Sequence, residues 1–131
     1  MKVKLTKTND SYKLMKKWWE GHGFPVIEPN ILPESTFICY NDKEVPVYAM
    51  CLYNTDSDLC WIGWQISNPE VNKDETKGCF DHLFKAIEIY AKHLEYKVIL
   101  TTSNTPSVVD TLKSNSYMEG DHNVKHYLKN I

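Results

Sequence analysis

The chain has 131 residues, 42% of them hydrophobic and 24% charged, with a net charge of −2, the profile of one globular domain spanning residues 1–131. Its longest apolar runs fall far below the roughly 18–20 residues of a membrane-spanning helix, and the opening MKVKLTKTND has no leader-like apolar core, so a cytoplasmic protein without membrane contact is expected. All 15 basic residues are lysine, whereas guanine readout and phosphate forks rely chiefly on the arginine guanidinium, so no nucleic-acid partner is expected.

In chain order, residues 2–7 alternate in the manner of a half-buried strand. Asp10 offers an N-cap, and Leu14, Met15, Trp18 and Trp19 form a helical stripe that Gly21 is expected to end. Two glycines and three prolines then mark residues 21–34 as irregular, with one short helical turn. Residues 36–40 and 45–54 read as strands around an Asn41-Asp42 turn, and a third strand, 59–67, follows the turn at Thr55-Asp56-Ser57-Asp58.

A helix opening near Thr76 carries Phe80, Leu83, Phe84, Ile87, Tyr90, Ala91 and Leu94 at intervals of three and four, a face able to cover a sheet. Residues 98–102 form a short strand, Pro106 opens a helix to about Lys113, and residues 117–119 and 124–128 are expected to close the sheet as a hairpin. The fold class is therefore α/β (α+β), with flanking helices and a mixed, mostly antiparallel sheet of six or seven strands. The connection from strand 59–67 to strand 98–102 requires a right-handed crossover, which makes them parallel neighbours.

Between those two strands lies a polar, flexible stretch that raises a functional question. Gly63 interrupts one face of strand 59–67, as at a bulge or a close backbone approach. Pro69 removes a ladder donor, so the sheet is expected to split there. The next helix begins with free amides and a positive dipole end, Gly78 carries no side chain to block an approach, and Lys73 and Lys77 add charge. A splayed strand followed by such a helix start suits a ligand with an amide-rich arm and a pyrophosphate, and coenzyme A has both.

Cys39, Cys51, Cys60 and Cys79 form no Cys-x-x-Cys pair and read as buried thiols, and no metal site is expected. His82 and His93 fall on the solvated face of their helix, and no Ser/His/Asp spacing or nucleotide-binding loop is present.

The order of elements, with Ser67-Asn68-Pro69-Glu70 before a loop, Gly78 and an amphipathic helix, resembles the GNAT superfamily of acyl-CoA-dependent N-acyltransferases. The topology is similar over nearly the whole chain and the motif over residues 59–117. In that family a Gln/Arg-x-x-Gly-x-Gly/Ala loop wraps the pyrophosphate. Gly78 fits its first glycine, while Glu75 stands where Gln or Arg is usual and Phe80 where the second small residue belongs. The cadence of Leu32-Pro33, Pro46, Thr55-Asp56-Ser57 and Ser67-Asn68-Pro69 resembles short phage-encoded members.

The resemblance implies acetyl-CoA as cofactor, with Gln65, Ile66, Ser67, Lys73, Lys77, Gly78, Cys79 and Asn104 as its binding residues. It also implies that the first helix and its following loop line the acceptor site, which places Trp19, Glu20 and His22 there. His22 is the candidate general base. A family tyrosine that protonates the leaving thiolate is replaced here by Leu112, and Tyr117 and Ser107 are the nearest substitutes.

The expected reaction is acetyl transfer to a primary amine on a small molecule or a protein, with a homodimer as a possible assembly. The alternative is a GNAT-like scaffold without catalysis, a binding module or an inhibitor of a host protein. Each candidate has a plain structural reading too: Gln65 and Ser67 as the solvent side of a strand, Asn104 as a turn residue, Trp19 as core and His22 as a surface histidine.

Overall fold

The computed structural model describes residues 1–131. Strands β1 (Lys2–Lys7), β2 (Ser35–Tyr40), β3 (Pro46–Tyr53), β4 (Leu59–Ser67) and β5 (Val98–Thr101) form one sheet in the order of the chain. The first four are antiparallel, and β4 and β5 are parallel. Helices α1 (Thr8–His22), α2 (Lys73–Thr76), α3 (Cys79–His93) and α4 (Pro106–Ser114) complete the fold with a 3₁₀ turn at Pro29–Ile31.

The two faces of the sheet are covered by different helices. On one face, Leu83, Phe84, Ile87 and Ala91 of α3 and Val108 of α4 pack on Phe37, Met50, Leu52, Cys60 and Ile62. On the other, Met15, Trp18 and Trp19 of α1 pack on Ile38, Ala49, Cys51 and Ile66. The alternation of each strand distributes its residues between these clusters, Ile38 facing α1 while Phe37 and Cys39 face α3. Truncating a fully buried residue such as Ile87 to alanine would cost about 2–5 kcal/mol.

The sheet has five strands, not six or seven. The hairpin expected at 117–119 and 124–128 does not form; the chain beyond α4 carries no strand. Tyr127 and Leu128 stay more than four-fifths exposed there, at 87% and 85%, with no partner strand to pair with.

Three local expectations are also corrected. Helix α1 starts at Thr8, two residues before Asp10, because the buried Thr8 hydroxyl bonds that of Thr36 at 2.8 Å and its amide donates to Glu34. Gly21 does not end α1, which runs to His22 and closes on Gly23 in the left-handed conformation (φ 72°). The charged loop after β4 contains a helical turn, α2, closed by a reciprocal capping box in which Asn72 and Glu75 each satisfy the other's backbone amide. Helix α3 then opens at Cys79, three residues later than Thr76.

Candidate functional site

The parallel ladder between β4 and β5 runs from Leu59↔Val98 to Ile62↔Thr101 and stops, while β4 continues to Ser67. Past Ile62, β4 therefore has a sheet neighbour only on the β3 side, and a wedge opens toward β5. At its apex, the Gln65 amide donates to Thr101 Oγ1 at 2.9 Å, and that hydroxyl donates to the Ile62 carbonyl at 3.2 Å. These side chains replace the ladder bonds that the parting strands no longer make.

The wedge begins where β4 is bulged. Cys51 pairs with Gly63 and Ala49 with Ile66, so Met50 alone opposes both Trp64 and Gln65. Trp64 adopts φ +54°, a left-handed conformation that costs a bulky residue on the order of 1–2 kcal/mol. Its indole donates to the Tyr53 hydroxyl, which donates to the Ile31 carbonyl at 2.6 Å and so helps hold this strained backbone. The bulge also exchanges the faces of β4: Cys60 and Ile62 point toward α3, whereas Ile66 points toward α1.

The end of β4 is anchored by the Asn68-Pro69 pair. Asn68 donates from its side chain to Pro46 and accepts from the Glu70 amide, while its own amide donates to Val47. His22, in the last turn of α1, lies 3.0 Å through Nε2 from both the Ser67 carbonyl and the Ser67 hydroxyl, and its ring stacks on Phe24 at 5.1 Å. A carbonyl can only accept, so the bond to it requires the Nε2–H tautomer and leaves the Nδ1 lone pair free of hydrogen bonds. These contacts hold the histidine in place in the last turn of α1.

Beyond the strand, Gly78 is the N-cap of α3 at φ +85°, with no side-chain cap and nothing within 4 Å of where a Cβ would sit. The first-turn amides of α3 precede the earliest ladder donor, His82, and have no carbonyl partner within the helix. Lys73 and Lys77 are exposed in the loop leading there, and Glu75 is occupied by the α2 capping box.

Of the residues singled out from sequence, the fold gathers Gln65, Ser67 and His22 at the end of β4 and Gly78 at the start of α3. Ile66 and Cys79 are buried, so only their backbone groups can meet a ligand. Burial and the neighbouring Cys39 thiol push the Cys79 thiol up to about 12. Trp19 is buried in the α1 cluster, edge-to-face with Tyr12, and does not present a platform. Glu20 and Asn104 are exposed.

Tyr117 is not brought to His22. It packs on Phe84, and burial with the Glu88 carboxylate pushes its hydroxyl to about 12. The hydroxyl is buried without a hydrogen-bond partner. Phe84 lies in the middle of α3, and two residues before Tyr117 the Asn115 side chain donates to Asp81 in the first turn of that helix at 3.0 Å. The Asn68 anchor and the bulged Trp64 were missed in the sequence, where Gly63 and Pro69 were their nearest signals.

No family model and no curated protein matches the sequence. Solved structures do match the backbone. The chain has the GNAT fold. It is similar to a putative acetyl transferase from Pyrococcus furiosus at 15% identity and a TM-score of 0.62, over 97% of this chain and 100% of that one. It is also similar to an aminoglycoside acetyltransferase from an uncultured soil metagenomic sample, solved with sisomicin, at 13% identity and a TM-score of 0.67, over 99% and 96%. An aminoglycoside N-acetyltransferase solved with CoA matches at 13% identity and a TM-score of 0.59, over 98% and 99%. No helix is long and apolar enough to cross a membrane.

Proposed function

We propose that the chain transfers an acetyl group from acetyl-CoA to a primary amine. The observation that carries this reading is the wedge: the β4–β5 ladder ends at Ile62↔Thr101 while β4 runs on to Ser67, and α3, which follows after the α2 loop, starts without a side-chain cap. That arrangement fits coenzyme A. Backbone amides in the first turn of α3 and the Lys73 and Lys77 ammonium groups would hold its phosphates. The β4 backbone past the bulge, Gln65, Ser67 and Asn104 would line the arm.

When bound, acetyl-CoA supplies an activated acyl thioester. The chain's own residues have two tasks. Fixed amides of the bulged strand orient and polarise the reacting carbonyl without reorganising. His22 Nδ1, left basic by the Nε2–H bond to Ser67, accepts a proton from the incoming ammonium through water, so that the amine reacts in its neutral form. Small-molecule amines acted on in the cytoplasm fit this reading.

The test is calorimetric titration with acetyl-CoA followed by turnover with a panel of amines. Binding and acetylation are expected; no heat and no thermal shift at millimolar ligand would overturn the reading. A second reading, a GNAT-like binding module or phage-encoded inhibitor without catalysis, is favoured by the seclusion of Tyr117, whose buried hydroxyl is not free to protonate a leaving thiolate. Acetyl-CoA binding without turnover of any amine would support that alternative.

A further inference from the structure

Which backbone groups of β4 face the wedge is decided at its bulge. The Ile62 carbonyl accepts from Thr101 on the β5 side. The Asn68 amide donates to Val47 on the β3 side, so the backbone groups of Ser67, one residue earlier, point the other way, into the wedge. A regular strand alternates its bonding edge at every residue, which would put Ile62 and Ser67 on opposite edges. They share one because the bulge at Trp64-Gln65 inserts an extra residue between them. Were residue 64 to relax from φ +54° to an extended conformation, that extra residue would be absorbed. The residues beyond it would then exchange both edge and face.

Residue 64 is held by a side chain from another strand. Tyr53, the last residue of β3, pairs in register with Trp61, and the two rings lie 4.8 Å apart. Its hydroxyl accepts from the Trp64 indole and donates to the Ile31 carbonyl at 2.6 Å. Burial raises the Tyr53 hydroxyl above its ordinary 10.0, so near neutrality it keeps the proton that it gives to Ile31 while a lone pair takes the indole N–H. Ile31 ends the 3₁₀ turn in the loop between α1 and β2. Tyr53 is thus the one group that touches both that loop and the bulge.

We propose that Tyr53 is a positioning residue for coenzyme A. It acts through Trp64, holding it in the left-handed conformation that turns the β4 backbone into the wedge, and it ties the cofactor's seat to the loop at Ile31. This rests on the reading of the wedge as a coenzyme A site and adds a control on that site from outside it. The coupling is reciprocal: a loop held at Ile31 favours the bulge that receives coenzyme A, and coenzyme A seated on the bulge steadies the loop.

The experiment combines calorimetric titration with coenzyme A, thermal unfolding and backbone amide shifts, all on the full chain. Tyr53→Phe keeps the ring and removes the hydroxyl. It should bind coenzyme A about three- to tenfold more weakly, the scale of one neutral hydrogen bond. In the wild type, saturating coenzyme A should also shift the Leu32 amide, whose peptide group contains the Ile31 carbonyl. In Tyr53→Phe that shift should vanish while those at residues 78–81 persist. Tyr12→Phe is the control for a general loosening: it removes another hydroxyl bound to the same loop, at the Ile27 carbonyl and 2.8 Å, without touching the bulge. It should lower the melting temperature and leave coenzyme A affinity unchanged. Added to Trp64→Gly, Tyr53→Phe should make no further difference, since glycine takes the left-handed region unaided and offers no indole. Wild-type affinity in Tyr53→Phe, equal losses in Tyr53→Phe and Tyr12→Phe, or an additive loss in the double variant overturns this role and leaves the coenzyme A site standing. A wild type that binds no coenzyme A overturns the site, and the role of Tyr53 with it.

Discussion

Gly21 and Pro69 are in such close contact that a Cβ on Gly21 would stand 2.7 Å from Pro69 Cγ. The glycine in the last turn of α1 thus serves the seating of that helix against the end of β4. The contact sits beside the bond of His22 to Ser67 and the Lys17–Glu70 ion pair at 3.6 Å.

Gly21→Ala should therefore lower the melting temperature, although alanine is the better helix former by about 1 kcal/mol. Overpacking against a rigid pyrrolidine costs about 1–3 kcal/mol, so a net loss of up to about 2 kcal/mol is expected in thermal unfolding. A rise in melting temperature would show that Pro69 yields freely.

At Gly78 the constraint is of another kind. Its Cβ would meet nothing, but φ +85° strains any β-branched or bulky residue. Gly78→Val is thus a poor probe, since it would lose stability along with any ligand. Asparagine tolerates the left-handed region, so Gly78→Asn should unfold within a few degrees of the wild type. It should still weaken coenzyme A at least tenfold by filling the open start of α3, the loss expected for one or two charge-assisted hydrogen bonds of about 1.5–3 kcal/mol each. Calorimetry and melting curves of the two variants separate the effects.

Glu75 holds the α2 capping box while placing a negative charge in the loop before α3. Glu75→Gln keeps the acceptor for the Asn72 amide and removes the charge. Coenzyme A affinity should rise by roughly two- to fivefold at low salt, the scale of exposed charge interactions of about 0.2–1 kcal/mol, and the gain should shrink as salt is added. No change at any ionic strength would place the phosphates elsewhere.

The pH limits of stability follow from groups on both sides of neutrality. Hydrogen bonds from Lys85 and Asn115 hold the Asp81 carboxyl below its ordinary 3.8, and the terminal ammonium does the same for Asp42. Depressed folded values mean stability that is present above pH 4 and lost as the pH falls through them. Burial raises the thiols of Cys39 and Cys51 to about 11 and that of Cys79 to about 12, above an ordinary 9.0. Raised values mean stability that is full below pH 9 and lost above it. Denaturant midpoints should therefore hold between about pH 5 and 8 and fall on either side, and thiol reagents should label none of the four buried cysteines until the chain unfolds.

Much of this architecture was legible in the sequence because burial writes it there. The alternation of Cys60 and Ile62 against Trp61 and Gly63 delimited β4 as it stands, and the three-and-four spacing of Leu83, Phe84, Ile87 and Ala91 gave α3 its buried face. The terminal hairpin failed for the complementary reason: Val124, Tyr127 and Leu128 supply strand-forming residues, but they stay exposed and no edge receives them. In the site, Gly63 and Pro69 signalled an interruption without revealing what fills it. That Gly21 packs on the second is a contact between distant chain positions that no local pattern encodes. Tyr117 was singled out by sequence order, which carries no sign that its hydroxyl is buried beside Phe84.

The central claim, that the wedge between β4 and β5 and the start of α3 form one coenzyme A site, is tested most directly by mapping backbone amide shifts while coenzyme A is titrated into the full chain. The largest and saturable shifts should fall on residues 64–67 and 78–81, with Thr101 following through its bond to Gln65. Saturating coenzyme A that leaves both segments unmoved, or that shifts only residues remote from them, would contradict it.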